Sequence, residues 1–202
     1  MYQRKLLCTM HYAQNHNPSQ LEAPWYKAWD LVLNEFICSE EEYSICPQDV
    51  LCVERNKTHS RYPDFTMYLT TSDSTVLQNF RATRHPIMVV EVKPWWRKYA
   101  ENRNLLASAF TNTKVMGQVL EQGKFIFERS GVEIRETTAI TAILAIGHMW
   151  KYVRLQATDT SPYDHRSIPS QSPSLQVLVW SEMYELGTPA SVAALHNVRS
   201  GM

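Results

Sequence analysis

The most informative stretch of the sequence is Ile87-Met88-Val89-Val90-Glu91-Val92-Lys93. Its continuous apolar character is typical of a strand that is covered on both faces, and Pro94 ends it. Because side chains at positions i and i+2 share one face of a strand, Glu91 and Lys93 are predicted to point the same way. A carboxylate and an ammonium are costly to bury unless they pair or bind a metal, so the run predicts a functional site. An ion pair that emerges into water at the strand end is the alternative.

A second acidic residue lies upstream, where Pro63-Asp64 begins a segment of alternating apolar and polar side chains at residues 64–70. This alternation predicts another strand, and the 27 residues from Asp64 to Glu91 leave room for a return loop. Two carboxylates at the ends of adjacent strands would form an all-oxygen site. Such a site suits Mg²⁺, which takes one or two carboxylates together with waters and phosphate oxygens. Lys93 is placed to orient or help deprotonate an attacking water.

The remaining sequence predicts one domain built around these two strands. Residues 1–23 are polar and irregular, so we expect an N-terminal arm there, followed by a single domain over residues 24–202. Apolar spacing and turn residues predict helices at 24–36, 104–128 and 190–198, strands at 43–46, 50–54, 137–146, 149–156 and 175–180, and polar loops at 71–86 and 159–173. This order predicts an α/β (α+β) fold with a central mixed β-sheet flanked by helices.

Charge is balanced over the whole chain but uneven along it. The 20 Lys and Arg residues equal the 20 Asp and Glu residues, which argues against a histone-like protein that binds nucleic acid through bulk charge. Residues 55–103, however, carry nine basic and four acidic groups, a net charge of +5. The positive segment is therefore local, and it contains both predicted strands of the site.

Cysteine spacing and hydropathy indicate the cellular compartment in which the protein is expected. A zinc set of Cys38, Cys46, Cys52 and His59 would match no common ligand spacing, so reduced thiols are favoured for these and for Cys8. The N-terminus lacks the long apolar region of a signal peptide, and the longest apolar stretch is too short to span a bilayer. We therefore expect an intracellular protein with no membrane partner, in the nucleus or the cytoplasm.

The pairing of Pro63-Asp64 with Glu91-Val92-Lys93 resembles the PD-(D/E)XK nuclease superfamily, which includes many restriction enzymes, Holliday-junction resolvases and RecB-type nucleases. The resemblance covers roughly residues 25–156 and implies a restriction-endonuclease-like core. It implies that Asp64 and Glu91 bind Mg²⁺ or Mn²⁺ and that Lys93 activates water. The implied function is metal-dependent hydrolysis of nucleic-acid phosphodiester bonds, with DNA favoured over RNA. A homodimer is left open, since enzymes that cut two strands are often dimers.

The same resemblance implies two further site residues. Many members carry an acidic residue on the helix before the first strand of the motif, and Glu35 is the candidate for this third metal ligand. An ordinary solvent-facing glutamate is the alternative for this position. The RecB-like branch carries a Q-x-x-x-Y pattern on the following helix, in which Gln118 matches the Gln as a catalytic-site residue while Gln122 replaces the Tyr. The sequence therefore matches this branch only in part.

Basic and aromatic residues surround the motif in the sequence. Cations interleaved with aromatic rings suit phosphate contacts and base stacking. Trp95 and Trp96 are nevertheless expected in the core, since paired tryptophans after a buried strand usually pack inside. The predicted nucleic-acid-binding residues are Arg55, Lys57, Arg61, Arg97 and Lys98.

Two other functional classes compete with a nuclease. One is a catalytically inactive nuclease fold that only binds nucleic acid or a protein partner, since a fold does not dictate function. The other is an interaction protein in which Glu91 and Lys93 form a structural ion pair. The presence of Asp64, Glu91 and Lys93 together favours activity.

Overall fold

The computed structural model describes residues 2–38, 42–53, 56–72, 82–129, 139–156 and 178–201. Several predictions fall wholly or partly elsewhere. Arg55, the loop at 159–173, most of the loop at 71–86 and the first half of the strand at 175–180 lie outside the described residues, as do the side chains of Cys52, Lys57 and His59.

A six-stranded mixed sheet forms the centre of the fold, with strands in the order β1-β4-β5-β6-β7-β8. Strands β5 and β6 are parallel, the other neighbours are antiparallel, and β2 and β3 form a separate hairpin. The strands are β1 Tyr43–Pro47, β2 Leu51–Val53, β3 Asn56–Arg61, β4 Phe65–Ser72, β5 Ala82–Lys93, β6 Ala139–Ile146, β7 Met149–Gln156 and β8 Tyr184–Glu185. With helices on its faces, this sheet confirms the predicted α+β class.

The helices lie on both faces of the sheet. They are α1 Tyr2–Asn15, α2 Ala23–Phe36, α3 Arg97–Glu101, α4 Arg103–Phe110, α5 Thr113–Arg129 and α6 Pro189–Ser200. Trp150 of β7 contacts Trp29 of α2 and donates its indole N–H to Ser191 of α6 at 2.9 Å. Gly123 of α5 packs against Leu155, which lies on the opposite face of β7 because side chains alternate along a strand. Helices α2 and α6 therefore cover one face and α5 covers the other.

No helix in the described part of the chain is both long enough and apolar enough to cross a membrane.

The N-terminal segment is a helix, so the prediction of an irregular arm is wrong for residues 2–15. Leu6 and Ala13 are buried, and the Tyr2 ring packs edge-on against Phe36 of α2. The sequence carries the signal for this helix, because Tyr2, Leu6, Met10 and Ala13 recur every three or four residues. The polar side chains between these positions make the apolar stripe hard to recognise in the sequence.

The single helix predicted at residues 104–128 is two helices, α4 and α5, separated at Thr111 and Asn112. The Asn112 side chain accepts hydrogen bonds from the backbone N–H groups of Lys114 at 3.0 Å and Val115 at 3.4 Å. Asparagine is a preferred N-cap, so Asn112 starts a new helix where apolar spacing alone predicts continuity.

Two strand boundaries also differ from prediction. Strand β5 begins at Ala82, so the predicted loop at 71–86 is wrong at its C-terminal end. Residues 178–180 are irregular, and the edge of the sheet is instead the short strand β8. The hairpin strand β3 was not predicted, because its polar sequence Asn-Lys-Thr-His-Ser-Arg lacks apolar alternation.

A tight turn at Gly147 connects β6 to β7 and ties them to the end of β5. Its backbone has a φ of +57°, a left-handed conformation that favours glycine. The Gly147 N–H donates to the Lys93 carbonyl at 2.9 Å, and its own carbonyl accepts from the Trp29 indole at 3.0 Å. A Cβ at this position would lie 2.6 Å from Cβ of Trp95 and 3.1 Å from the Trp25 ring. The turn therefore fixes the end of the strand that carries Lys93.

Replacing Gly147 with Ala is expected to lower the free energy of unfolding by roughly 2–5 kcal/mol. A left-handed alanine costs about 1–2 kcal/mol, and overpacking costs about 1–3 kcal/mol. Gly187→Ala is the matched control, because Gly187 has a φ of +83° but, among the described residues, its added Cβ would meet only Leu6, at 3.8 Å. That variant should lose about 1–2 kcal/mol. Urea denaturation measures both, and equal losses would contradict the close packing around Gly147.

Candidate metal centre

Pairing of β4 with β5 brings Asp64 next to Glu91. Phe65 is the register partner of Val90, so Asp64 lies beside the end of β5. The Asp64 Oδ2 atom accepts a hydrogen bond from the Val92 N–H at 2.6 Å. Asp64 is 8% exposed and Glu91 is 3% exposed. Two carboxylates are therefore buried together where β4 begins and β5 ends.

Lys93 shares the face of Glu91 and binds it. The Lys93 Nζ atom lies 2.6 Å from Glu91 Oε1 and 3.7 Å from Oε1 of Glu22. Burial lowers the pKa of Lys93, but attraction to Glu91 and Glu22 outweighs it and the pKa is raised. The side chain is therefore a charged ammonium at neutral pH, which suits it to stabilise negative charge rather than to accept a proton.

Helix α5 contributes Gln122 to this site. Its Nε2 atom donates a hydrogen bond to Glu91 Oε2 at 2.6 Å, and the side chain is buried. Gln118, the residue predicted for this role, is exposed one helical turn earlier. The structure thus brings Gln122 and not Gln118 to Glu91, because the way α5 packs on the sheet determines which of the two glutamines turns inward.

Helix α2 reaches the site with its first turn and not with its last. The Tyr26 hydroxyl donates to Asp64 Oδ1 at 2.6 Å, and Glu22, at the N-cap of α2, lies next to Lys93. Glu35 is exposed and lies thirteen residues after Glu22, roughly 20 Å away along the helix axis. The structure therefore does not bring Glu35 to the site, and Glu22, which the sequence reasoning missed, is the third acidic residue there.

The electrostatics of this cluster are unfavourable without a further cation. Burial, and then the negative charge of Glu91, raise the pKa of Asp64 to about 6, while the hydrogen bonds from Tyr26 and Val92 act in the opposite direction. When all groups are ionised, the three carboxylates of Asp64, Glu91 and Glu22 face the ammonium of Lys93. Among the described residues of this cluster, two negative charges are then in excess, which is the charge of one divalent cation.

The donor set fits Mg²⁺ or Mn²⁺. It consists of carboxylate oxygens, each of which keeps a further lone pair after its hydrogen bond. In addition, within the described residues the buried Oε1 atom of Gln122 has no hydrogen-bond partner, so it is an acceptor ready for a bound water. No group of three or more His, Cys, Asp or Glu side chains in that part of the chain is placed so that it could hold a metal ion. Mg²⁺ needs no such group, since it keeps several of its waters.

The predicted nucleic-acid contacts separate into two groups. Arg61 forms an ion pair with Glu121 of α5 and lies 5.5 Å from the centre of the Phe125 ring, so it joins the hairpin to α5. Arg97 and Lys98 are exposed at the start of α3, close to the end of β5. Trp95 is buried as predicted. Trp96 is 39% exposed, and the prediction that it packs in the core is wrong.

Comparison with models of known protein families, with curated proteins and with solved structures finds no match for this chain. Its function must therefore be inferred from its own residues and their geometry.

Replacing Asp64 with Asn is expected to stabilise the metal-free protein at pH 7.5 by up to about 3 kcal/mol. The pKa of Asp64 is about 6 in the folded protein, against an ordinary value of 3.8. The folded state therefore holds this proton more tightly, and the resulting stability is present below about pH 4 and lost as the pH rises through 6. Asparagine can still accept from the Val92 N–H, and it removes the repulsion by Glu91.

Urea denaturation in EDTA at several pH values measures this effect. The gain from Asp64→Asn should shrink towards pH 4, while Asp30→Asn, at an exposed position of α2, should change stability by less than about 0.5 kcal/mol throughout. A loss of stability for Asp64→Asn at pH 7.5 would show that Asp64 is a structural anchor in its ionised form.

Proposed function

We propose that this chain is a metal-dependent nuclease that hydrolyses phosphodiester bonds of nucleic acid with Mg²⁺ or Mn²⁺. The observation that carries the proposal is the burial of Asp64 and Glu91 side by side, with Lys93 on the same strand face. Such a pair lowers the stability of the protein when no cation is bound. Perturbed ionisable groups of this kind concentrate at functional sites.

Each residue has a distinct role in the proposed reaction. A divalent cation held by Asp64 and Glu91 would lower the pKa of a water and offset charge on the attacked phosphate. Gln122 and Lys93 each bind one oxygen of Glu91, so its carboxylate has a fixed orientation. The ammonium of Lys93 is placed to stabilise negative charge that develops on the phosphate oxygens.

Tyr26 positions Asp64 in the same way. Burial, and then its hydrogen bond to Asp64, raise the pKa of Tyr26. Its hydroxyl therefore remains a donor across the physiological pH range and holds the Asp64 carboxylate together with the Val92 N–H.

An intracellular setting is part of the proposal. Among the described residues, Cys8, Cys38 and Cys46 are free thiols, and Cys8 is exposed. Exposed free thiols persist in the reducing compartments of the cell. DNA remains favoured over RNA as the polymer, and a homodimer remains open.

Added Mn²⁺ is expected to raise the melting temperature by roughly 3–10 °C when its concentration is 10–100 times its Kd. The cation binds the folded state and neutralises the clustered carboxylates. Asp64→Asn and Glu91→Gln should abolish the rise, and differential scanning fluorimetry measures it. Glu22→Gln should reduce the rise and Glu35→Gln should not, because only Glu22 lies at the site. An equal Mn²⁺ response in Asp64→Asn and the parent protein would contradict the metal site.

Replacing Lys93 with Ala is expected to lower the rate of cleavage by about 10²–10³-fold while the Mn²⁺-induced rise in melting temperature remains. Lys93 stabilises charge but is not a metal ligand, whereas Glu91→Gln should lose both cleavage and the metal response. Single-turnover cleavage of labelled DNA and RNA with Mn²⁺ gives the rates, and Lys93→Arg should recover part of the activity.

The outcomes separate the competing functions. A parent protein that binds nucleic acid but neither cuts it nor responds to Mn²⁺ would be an inactive nuclease fold. Unfolding of Lys93→Ala would make Lys93 a structural ion-pair partner. Full activity of that variant would remove Lys93 from the mechanism.

A further inference from the structure

Two exposed aromatic residues lie close in the chain to residues of the candidate metal centre. Tyr62, 60% exposed, lies two residues before Asp64, and Trp96, 39% exposed, lies three residues after Lys93. At up to about 3.6 Å per residue, their backbones are within about 11 Å of these two site residues. Single exposed aromatics are common on protein surfaces, but here two of them each lie within three residues of a residue of the site.

The Trp96 ring is held in place as a flat platform. It is parallel to the Tyr99 ring, with an interplanar angle of 3° and ring centres 5.8 Å apart. Tyr99 is itself buried and packs edge-on against Trp95. The ammonium of Lys98 lies 3.8 Å from the centre of the Trp96 ring, so a base that stacks on this face would take the place of the flexible Lys98 side chain.

A polar cleft of about 460 Å³ lies between the connection from α1 to α2 and the segment that carries Trp96, where Trp95, Arg97 and Ala100 line it. Side-chain amides line it, and these donate to and accept from the edges of unpaired bases. The guanidinium of Arg97 at its wall is suited to a backbone phosphate. The lining of the cleft includes Gln14, Asn15, Gln20 and Arg97.

We propose that the substrate of this site is single-stranded nucleic acid, with unpaired bases stacked on Trp96 and Tyr62 on either side of the phosphate at Asp64 and Glu91. The proposal rests on the nuclease function proposed above. A duplex keeps its base faces stacked inside, so the two rings would have nothing to stack on. The exposed cations Arg97 and Lys98 supply charge complementary to the strand.

Fluorescence anisotropy in EDTA tests binding without cleavage. The probes are labelled oligo(dT) and oligo(rU) of about 20 nucleotides, a DNA duplex of the same length, and an oligo(dT) in which most positions are abasic. We expect oligo(dT) or oligo(rU) to bind more tightly than the duplex and the abasic strand. The abasic strand keeps the phosphates of oligo(dT), so any difference between them measures base contacts.

Variants separate stacking from charge. Trp96→Ala should weaken oligo(dT) binding by roughly 5- to 100-fold, Tyr62→Ala should weaken it in the same direction, and Trp96→Phe should retain most of the affinity. Val179→Ala, at an 88% exposed position before β8, should bind as the parent does. On a log–log plot against salt, Trp96→Ala should keep the parent's slope, whereas Arg97→Ala should reduce its magnitude by about 0.7.

Equal binding of the duplex, the abasic strand and oligo(dT), or unchanged affinity in Trp96→Ala, would overturn the single-strand proposal. Failure of the nuclease proposal looks different. In that case the parent protein binds oligo(dT) through Trp96 but leaves it intact with Mn²⁺, and the stacking site stands as that of a binding module.

Discussion

The hydrogen bond from the Val92 N–H to the Asp64 carboxylate joins the start of β4 to the end of β5. The Val92 N–H is a backbone donor near the end of β5 that needs a hydrogen-bond partner, and the Asp64 carboxylate supplies it. The rest of the site follows from this junction. Glu91 precedes the donor residue, Lys93 follows it, and Tyr26 of α2 binds the second oxygen of Asp64. The hydrogen bond from Tyr26 thereby holds the start of α2 next to the charged residues of the site.

Burial of two like charges at this junction is only partly compensated. Lys93 and Gln122 satisfy the oxygens of Glu91, and Tyr26 and Val92 satisfy those of Asp64, yet the pKa of Asp64 remains raised. Hydrogen bonds satisfy individual oxygens, but they cannot cancel the repulsion between the two carboxylates. The surrounding packing offsets this cost, notably the fully buried side chains Trp25, Trp29 and Trp150 on the opposite face of the sheet. The packed core thus stabilises the fold, while the carboxylates of Asp64 and Glu91 keep an unfavourable electrostatic interaction. Such locally unfavourable interactions are common at functional sites.

The strands of the site could be predicted from sequence, because alternation and the Glu-Val-Lys spacing are local properties of the chain. The sequence could not, however, show which of two similar residues on the same helix reaches the site. Glu22 and Glu35 lie at opposite ends of one short helix, α2, and periodicity does not tell which end of that helix meets the sheet. Gln118 and Gln122 lie one turn apart on one face of α5, and the choice depends on how deeply the helix sits. That depth reflects the close approach of Gly123 to Leu155, a contact between residues far apart in sequence.

The placement of charge links binding to chemistry in the proposed nuclease. The cations Arg97 and Lys98 are exposed beside the centre, whereas Asp64 and Glu91 are buried within it. A polyanionic strand would therefore be attracted to the rim and repelled by the centre, because the carboxylates of Asp64, Glu91 and Glu22 outweigh the ammonium of Lys93. A divalent cation would cancel this excess negative charge at the centre, so a phosphate would approach the reacting position more readily once the metal is bound. Metal binding would thus control productive positioning as well as the activation of water, while attachment of the strand to the rim would proceed without it.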